Sequence, residues 1–261
     1  MQFTRIGLSI EDRIATIVFD DPEHLNAMSL TMREECVSAL RRIEDEGLAD
    51  CIVFTGSGAR AFSAGADINE LATRTVTGEL SVKAQLRREL PRLIETLRLP
   101  TLAAINGFCL GAGLELALAC TLRIVAESAK LGLPEINLGV IPGSGGTQRL
   151  ARMIGSGRAM ELVTLGEPIT AAEASRIGLV NSMHPDDELA AAARAICRKW
   201  QAKGPTSLML ARDAVLRSED LDLQSGIDYE NKAFALCLAS GERDEGVAAF
   251  KEKRKPRFRT G

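Results

Sequence analysis

With 261 residues, 46% of them hydrophobic and 26% charged, the chain has the composition of a globular protein with room for a large interior, which excludes a disordered chain. It carries 35 acidic against 32 basic side chains, and the resulting net charge of -3 argues against binding nucleic acid over a broad surface. No signal-peptide pattern opens the chain and no apolar run is long enough to span a bilayer, so no membrane is expected among its partners.

Two alternating apolar and polar runs, residues 3–10 and 13–19, predict a β-hairpin. A turn-rich loop over 20–26 follows. Ser29 is placed to cap a helix over 30–46 whose apolar Met32, Cys36, Leu40 and Ile43 fall near one face. A buried strand is expected over 51–55, and then a loop of small residues runs from Gly56 to Ala64, Gly65, Ala66, Asp67 and Ile68. Small residues there let the backbone approach a ligand closely, or form a tight surface turn. A polar stretch over 73–79 leads into a long amphipathic helix ending near Leu97, which Pro91 is expected to kink or divide.

A strand over 101–105 delivers the chain to its most unusual stretch. Residues 112–120 read as a helix that is apolar all round except for Glu115, and such helices are buried. A buried carboxylate is unfavourable unless something pairs with it or uses it. Gly111, Ala112 and Gly113 form a small-residue turn at the start of this helix, where outward-pointing N–H groups and the helix dipole favour an anion. A second carboxylate, Glu135, follows Gly132, Leu133 and Pro134 and precedes another apolar stretch. The two glutamates read either as an acid/base pair beside an oxyanion site, with proton affinities pushed apart by burial and repulsion, or as a helix-end complement and a solvated loop residue.

Short strands are expected over 122–126 and 130–133, and the glycine-rich loop over 142–147 lacks both nucleotide-loop spacings. Helices are expected over 147–154, 158–165, 171–176, 188–203, 206–218, 223–239 and 242–253, giving an α/β core with a helical extension. Cys36, Cys51, Cys109, Cys120, Cys197 and Cys237 lie in apolar contexts without CxxC spacing and read as reduced core thiols of a cytoplasmic protein. With only His24 and His184 available, a histidine-rich metal site is excluded, and His184 reads as a turn residue. The basic tail over 251–259 has the form of a solvated chain end.

The segments 62–68, 107–120, 133–150 and 245–254, in this order and at these separations, resemble the enoyl-CoA hydratase/isomerase, or crotonase, family over essentially the whole chain. The resemblance implies an α/β fold, a crotonase-like spiral of ββα units over 1–200, with a helical C-terminal trimerisation region over 201–261 that builds trimers and commonly hexamers. It implies acyl-CoA thioester substrates and no cofactor, coenzyme A being part of the substrate. It places the oxyanion-hole N–H donors on Ala66 and Ala112, where family hydratases often have glycine at the second position. The catalytic pair falls on Glu115 and Glu135, and the presence of both favours a hydratase, reversibly adding water to a 2-enoyl-CoA, over a double-bond isomerase. Coenzyme A is placed near Ala27, Ala64, Gly65, Asp67, Ile68 and Gly111, with Phe250 and Lys253 of a neighbouring subunit closing the adenine end. The acyl pocket is placed over 71–82 together with parts of the C-terminal helices. Some relatives bind RNA, but the tail lacks the interleaved aromatics that base stacking needs, so nucleic acid is not expected as a partner.

Overall fold

The computed structural model describes residues 3–258, leaving aside the side chains at positions 82, 83, 84 and 86. Strands β1 (Ile6–Glu11) and β2 (Ile14–Phe19) form the expected hairpin. Its two turn residues, Asp12 and Arg13, both have positive φ, of 49° and 58°, the backbone twist that matches a two-residue hairpin. From β2 onward the chain repeats one move. Strands β3 (Cys51–Gly56), β5 (Thr101–Ile105) and β7 (Leu122–Ala126) each join a six-stranded sheet of order β1-β2-β3-β5-β7-β10, the last strand being β10 (Ser182–His184). After each comes a three-residue strand in a second sheet: β4 (Ala61–Ser63), β6 (Phe108–Leu110) and β8 (Lys130–Gly132), which pair in parallel and are closed by β9 (Ile169–Thr170).

Helices pack outside these sheets. α1 (Leu30–Asp45) starts at Ser29, whose side chain accepts from the Met32 N–H at 3.2 Å. α2 (Ile68–Ala72) and α3 (Val76–Glu79) precede α4 (Val82–Thr96). α5 (Ala112–Ala119) is buried along its whole length, and α6 (Gly146–Ile154), α7 (Ser156–Leu165) and α8 (Ala171–Arg176) follow. Strands β3, β5 and β7 are covered on both faces and so consist of near-continuous apolar residues, as buried parallel strands do. Phe19, Phe54 and Phe62 meet in this core, with ring centroids 6.1 Å and 5.1 Å apart around Phe19. α9 (Leu189–Gln201) lies against β3, β5 and β7, and α10 (Pro205–Arg217), α11 (Leu223–Ala239) and α12 (Glu242–Lys251) form the helical C-terminal region.

The structure corrects several expectations. α4 is not divided at Pro91. Proline cannot donate to the carbonyl of Arg87 four residues earlier, and the buried Arg33 guanidinium donates to that oxygen instead, at 3.3 Å. The loop expected over 56–68 contains the whole of β4 and the start of α2, and the polar stretch over 73–79 contains α3. Five of the cysteines are buried, while Cys237 is half-exposed, and none of the six, all among the described residues, is in a disulfide. In the tail, Arg254 is held by Glu245 at 2.7 Å and by Glu252 at 2.6 Å, so part of its basic charge is matched within the chain.

Candidate active site

The spiral brings two backbone segments side by side. β4 and β6 run parallel, with Ser63 opposite Cys109, so the residues that follow their carboxyl ends emerge together. After β4 come Ala64, Gly65 and Ala66, and after β6 come Gly111 and Ala112, all lining one cavity of about 780 Å³. Gly65 (φ +110°) and Gly111 (φ +49°) take backbone angles that side chains disfavour, and a Cβ on Gly65 would stand 3.2 Å from the Leu110 carbonyl oxygen. The loop carrying Ala66 is tied down by its neighbours: Gly65 O accepts from Met28 N at 2.7 Å and Ala64 N donates to Leu25 O at 3.0 Å. Among the described residues no protein group accepts from the N–H of Ala66 or Ala112. Ala112 opens helix α5, so its N–H also stands at the positive end of a helix dipole.

Glu115, one turn into α5, is only 2% exposed. Its Oε1 accepts from the N–H of Ser144 at 2.6 Å and of Gly146 at 2.9 Å, at the start of α6. A Cβ on Gly146 would stand 3.1 Å from Glu115 Oε1, so glycine lets this backbone close on the carboxylate. Behind the loop, Arg149 donates to Ser144 O at 2.9 Å while bound through Nη2 to Glu95 at 2.7 Å. Among the described residues, Glu115 Oε2 has no protein hydrogen-bond partner and remains available to a ligand.

Glu135 reaches the same cavity from the 3-10 turn Pro134–Leu138. Its surroundings are opposite in kind. Among the described residues Oε2 is enclosed without a hydrogen-bond partner, and burial, seconded by the charge of Glu115, pushes the carboxyl up to about 7. One carboxylate is thus held by fixed donors while its neighbour keeps a proton near neutral pH, an arrangement suited to moving a proton while activating a water.

Of the other expected residues, Ile68 lines the cavity and is 57% exposed. Ala27 and Asp67 lie on the flanking segments outside its wall, where Asp67 caps α2 by accepting from Asn69 N at 2.8 Å. Phe250 (86% exposed) and the exposed Lys253 lie on and just after α12 and take no part in this chain's cavity. Sequence reading missed Ser144 and Gly146, whose contribution is backbone alone, and it missed Arg33 and Arg74 on the cavity wall. Arg33 was detectable: it adjoins Met32 and lies one turn before Cys36 and Val37 on the inward side of α1.

Residues 9–261 match the Enoyl-CoA hydratase/isomerase family. The chain is 37% identical to a crotonyl-CoA hydratase of Syntrophomonas wolfei over 99% of both chains. It is 35% identical to a short-chain-enoyl-CoA hydratase of Clostridium acetobutylicum, covering 98% of this chain and 97% of that protein. The crystal structure of an enoyl-CoA hydratase from Bacillus anthracis superposes with a TM-score of 0.93 at 39% identity, covering 98% of this chain and 99% of the other. The chain belongs to the enoyl-CoA hydratase/isomerase family, and its fold is the crotonase fold.

Proposed function

We propose that this chain is an enoyl-CoA hydratase, reversibly adding water to a 2-enoyl-CoA to give the 3-hydroxyacyl-CoA. The observation that carries the reading is the contrast within one cavity between Glu115, held by two backbone donors, and Glu135, buried and inclined to keep its proton.

The thioester oxygen lies between the N–H groups of Ala66 and Ala112. Enolate charge builds on that oxygen as water attacks, and each donor fixed there contributes roughly 3–4 kcal/mol to the barrier reduction. A water held between the glutamates loses one proton to Glu115 as its oxygen bonds to Cβ, and Glu135 delivers a proton to Cα. Once the proton gained by Glu115 has passed back to Glu135, the sum is one water added across the double bond, with no cofactor beyond the coenzyme A that arrives in the substrate. The pantetheine and adenine follow the edge formed by Ala27, Ala64, Asp67 and Ile68.

Self-association, as a trimer or a hexamer, is supported by apolar side chains exposed on the C-terminal helices, including Val215 (71%), Leu223 (81%), Phe234 (64%) and Phe250 (86%). In such an assembly Phe250 and Lys253 of one subunit reach the adenine end of the next. Among the described residues no helix is long and apolar enough to cross a membrane, and we assign the enzyme to the cytoplasm. The test is turnover of a panel of 2-enoyl-CoAs beginning with crotonyl-CoA. A product heavier by one water supports the hydratase, whereas an isomerised product of unchanged mass makes Glu135 a lone proton shuttle.

A further inference from the structure

Arginines supply much of the charge on the cavity wall. Arg33 comes from α1, Arg74 from between α2 and α3, and Arg87 and Arg88 from α4, while Glu79 is the carboxylate that stands among them. Glu79 ion-pairs with Arg87 and lies 3.7 Å from Arg74 Nε, and its backbone carbonyl accepts from Arg88 at 3.1 Å. Arg33 is 3% exposed and donates through Nε to Met28 O and through Nη1 to Arg87 O, both at 3.3 Å. Among the described residues its Nη2 has no protein acceptor. Among the described residues, Nε and Nη2 of Arg74 are enclosed without a hydrogen-bond partner. Glu70, whose charge also acts on both arginines, accepts from Leu30 N at 2.9 Å, and with Glu70 and Glu115 counted beside Glu79 the four arginines still face three carboxylates, Glu135 being inclined to keep its proton.

An enclosed guanidinium N–H without an acceptor is unfavourable, and it becomes favourable once an anion fills the fork. Burial and mutual repulsion hold both Arg33 and Arg74 below the usual guanidinium range, as expected where an acceptor is missing. The anion could belong either to coenzyme A or to the acyl group. Position favours the acyl group: Arg74 lies within residues 71–82, the stretch assigned to the acyl pocket, and Arg33 shares the cavity with Glu115, although Ala64, Gly65, Ile68 and Gly111, assigned to the coenzyme, line it too.

We propose that the acyl group of the substrate ends in a carboxylate, so that the enzyme hydrates carboxylate-terminated 2-enoyl-CoAs, with Arg74 and Arg33 receiving the distal carboxylate. This rests on the hydratase reading and deepens it. The reaction is unchanged: OH adds at Cβ, H adds at Cα, and the distal carboxylate takes no part in bond making.

The test compares pairs differing only in a terminal methyl or carboxylate: 2-pentenoyl-CoA with glutaconyl-CoA, and 2-hexenoyl-CoA with 2,3-dehydroadipyl-CoA. A charge-assisted guanidinium contact predicts a kcat/KM about 10- to 100-fold higher for the carboxylated member of at least one pair. R74M should reduce that ratio by a similar factor, with R74K retaining part of it. Among the described residues the Nε and Nη2 of Arg74 have no hydrogen-bond partner, so replacing this side chain removes no such bond at those atoms and keeps the test usable should R33M fail to fold. A ratio near one in the unaltered protein, or a ratio that R74M leaves intact because both substrates weaken together, overturns the proposal; the second result would place the arginines on coenzyme A. Calorimetric affinities of adipyl-CoA and hexanoyl-CoA read the anion site independently of turnover. Absence of hydration with adipyl-CoA still preferred would overturn the hydratase reading alone, and equal affinities would overturn the carboxylate site.

Discussion

Gly111 and Glu135 meet across the site: a Cβ built on Gly111 would stand 2.9 Å from Glu135 Oε1. The residue that opens the way to the Ala112 donor thereby also leaves room for the second carboxylate. Replacement by alanine would displace Glu135 and strain a backbone at φ +49°. We expect G111A to lower kcat by about 10- to 100-fold, with a loss of stability of about 1–3 kcal/mol from the disfavoured backbone. Kinetics and thermal unfolding of the same sample check it. Full activity would show that Glu135 needs no fixed position.

The Ala112 donor can be removed separately. Ala112 is the first residue of α5, where proline is tolerated because its missing N–H has no partner within the helix. A112P should therefore lower kcat by about 10²–10³ for loss of one oxyanion donor, with a much smaller loss of stability. Equal activity would mean that the thioester oxygen is held elsewhere.

The pH profile follows from Glu135. Its carboxyl is raised from 4.5 to about 7, so the protonated form required for protonating Cα is lost as pH rises through that value. We expect kcat/KM to fall about tenfold per pH unit above it. The forward and reverse profiles must coincide because their ratio is the equilibrium constant. E135Q should abolish the limb while lowering kcat by about 10²–10⁴. Stability carries the opposite message. A carboxyl whose folded-state affinity for a proton exceeds its unfolded value disfavours the fold as pH rises from 4.5 through about 7, so E135Q should gain stability relative to the unaltered protein across that window. Unfolding curves at pH 4, 6 and 8 check the sign, with pH values chosen about this window.

Arg212 joins the C-terminal helices to the core, donating from α10 to the carbonyls of Glu95 (2.7 Å), Leu97 and Leu99. R212A leaves carbonyls at the end of α4 without their donor and should cost about 2–3 kcal/mol in denaturant unfolding.

The sequence made the long periodic elements legible. Hairpin alternation, the apolar face of α1 and the all-apolar α5 each follow from local pattern, and so does the oddity of Glu115. Strands β4, β6, β9 and β10 were not legible, since two or three residues hold no period and their pairing is with distant segments, whereas the equally short β8 stood out across the turn over 127–129 from β7. The division expected at Pro91 fails for a related reason: the group that satisfies the freed Arg87 carbonyl lies 54 residues away, on α1. The Glu115 cradle comes from the backbone of Ser144 and Gly146, which no side-chain motif announces. Likewise the convergence of Arg33 and Arg74 on one cavity exists only once α1 and the segment after α2 are packed together.

The most direct test of the central claim is the mass of the product formed from crotonyl-CoA by the unaltered protein, E115Q and E135Q. Two glutamates sharing one water predict that the unaltered protein gives a product heavier by one water, and that each variant makes that product slower by about 10²–10⁴. Hydration proceeding near the unaltered rate in either variant, or an acyl product with no added water, would contradict the account.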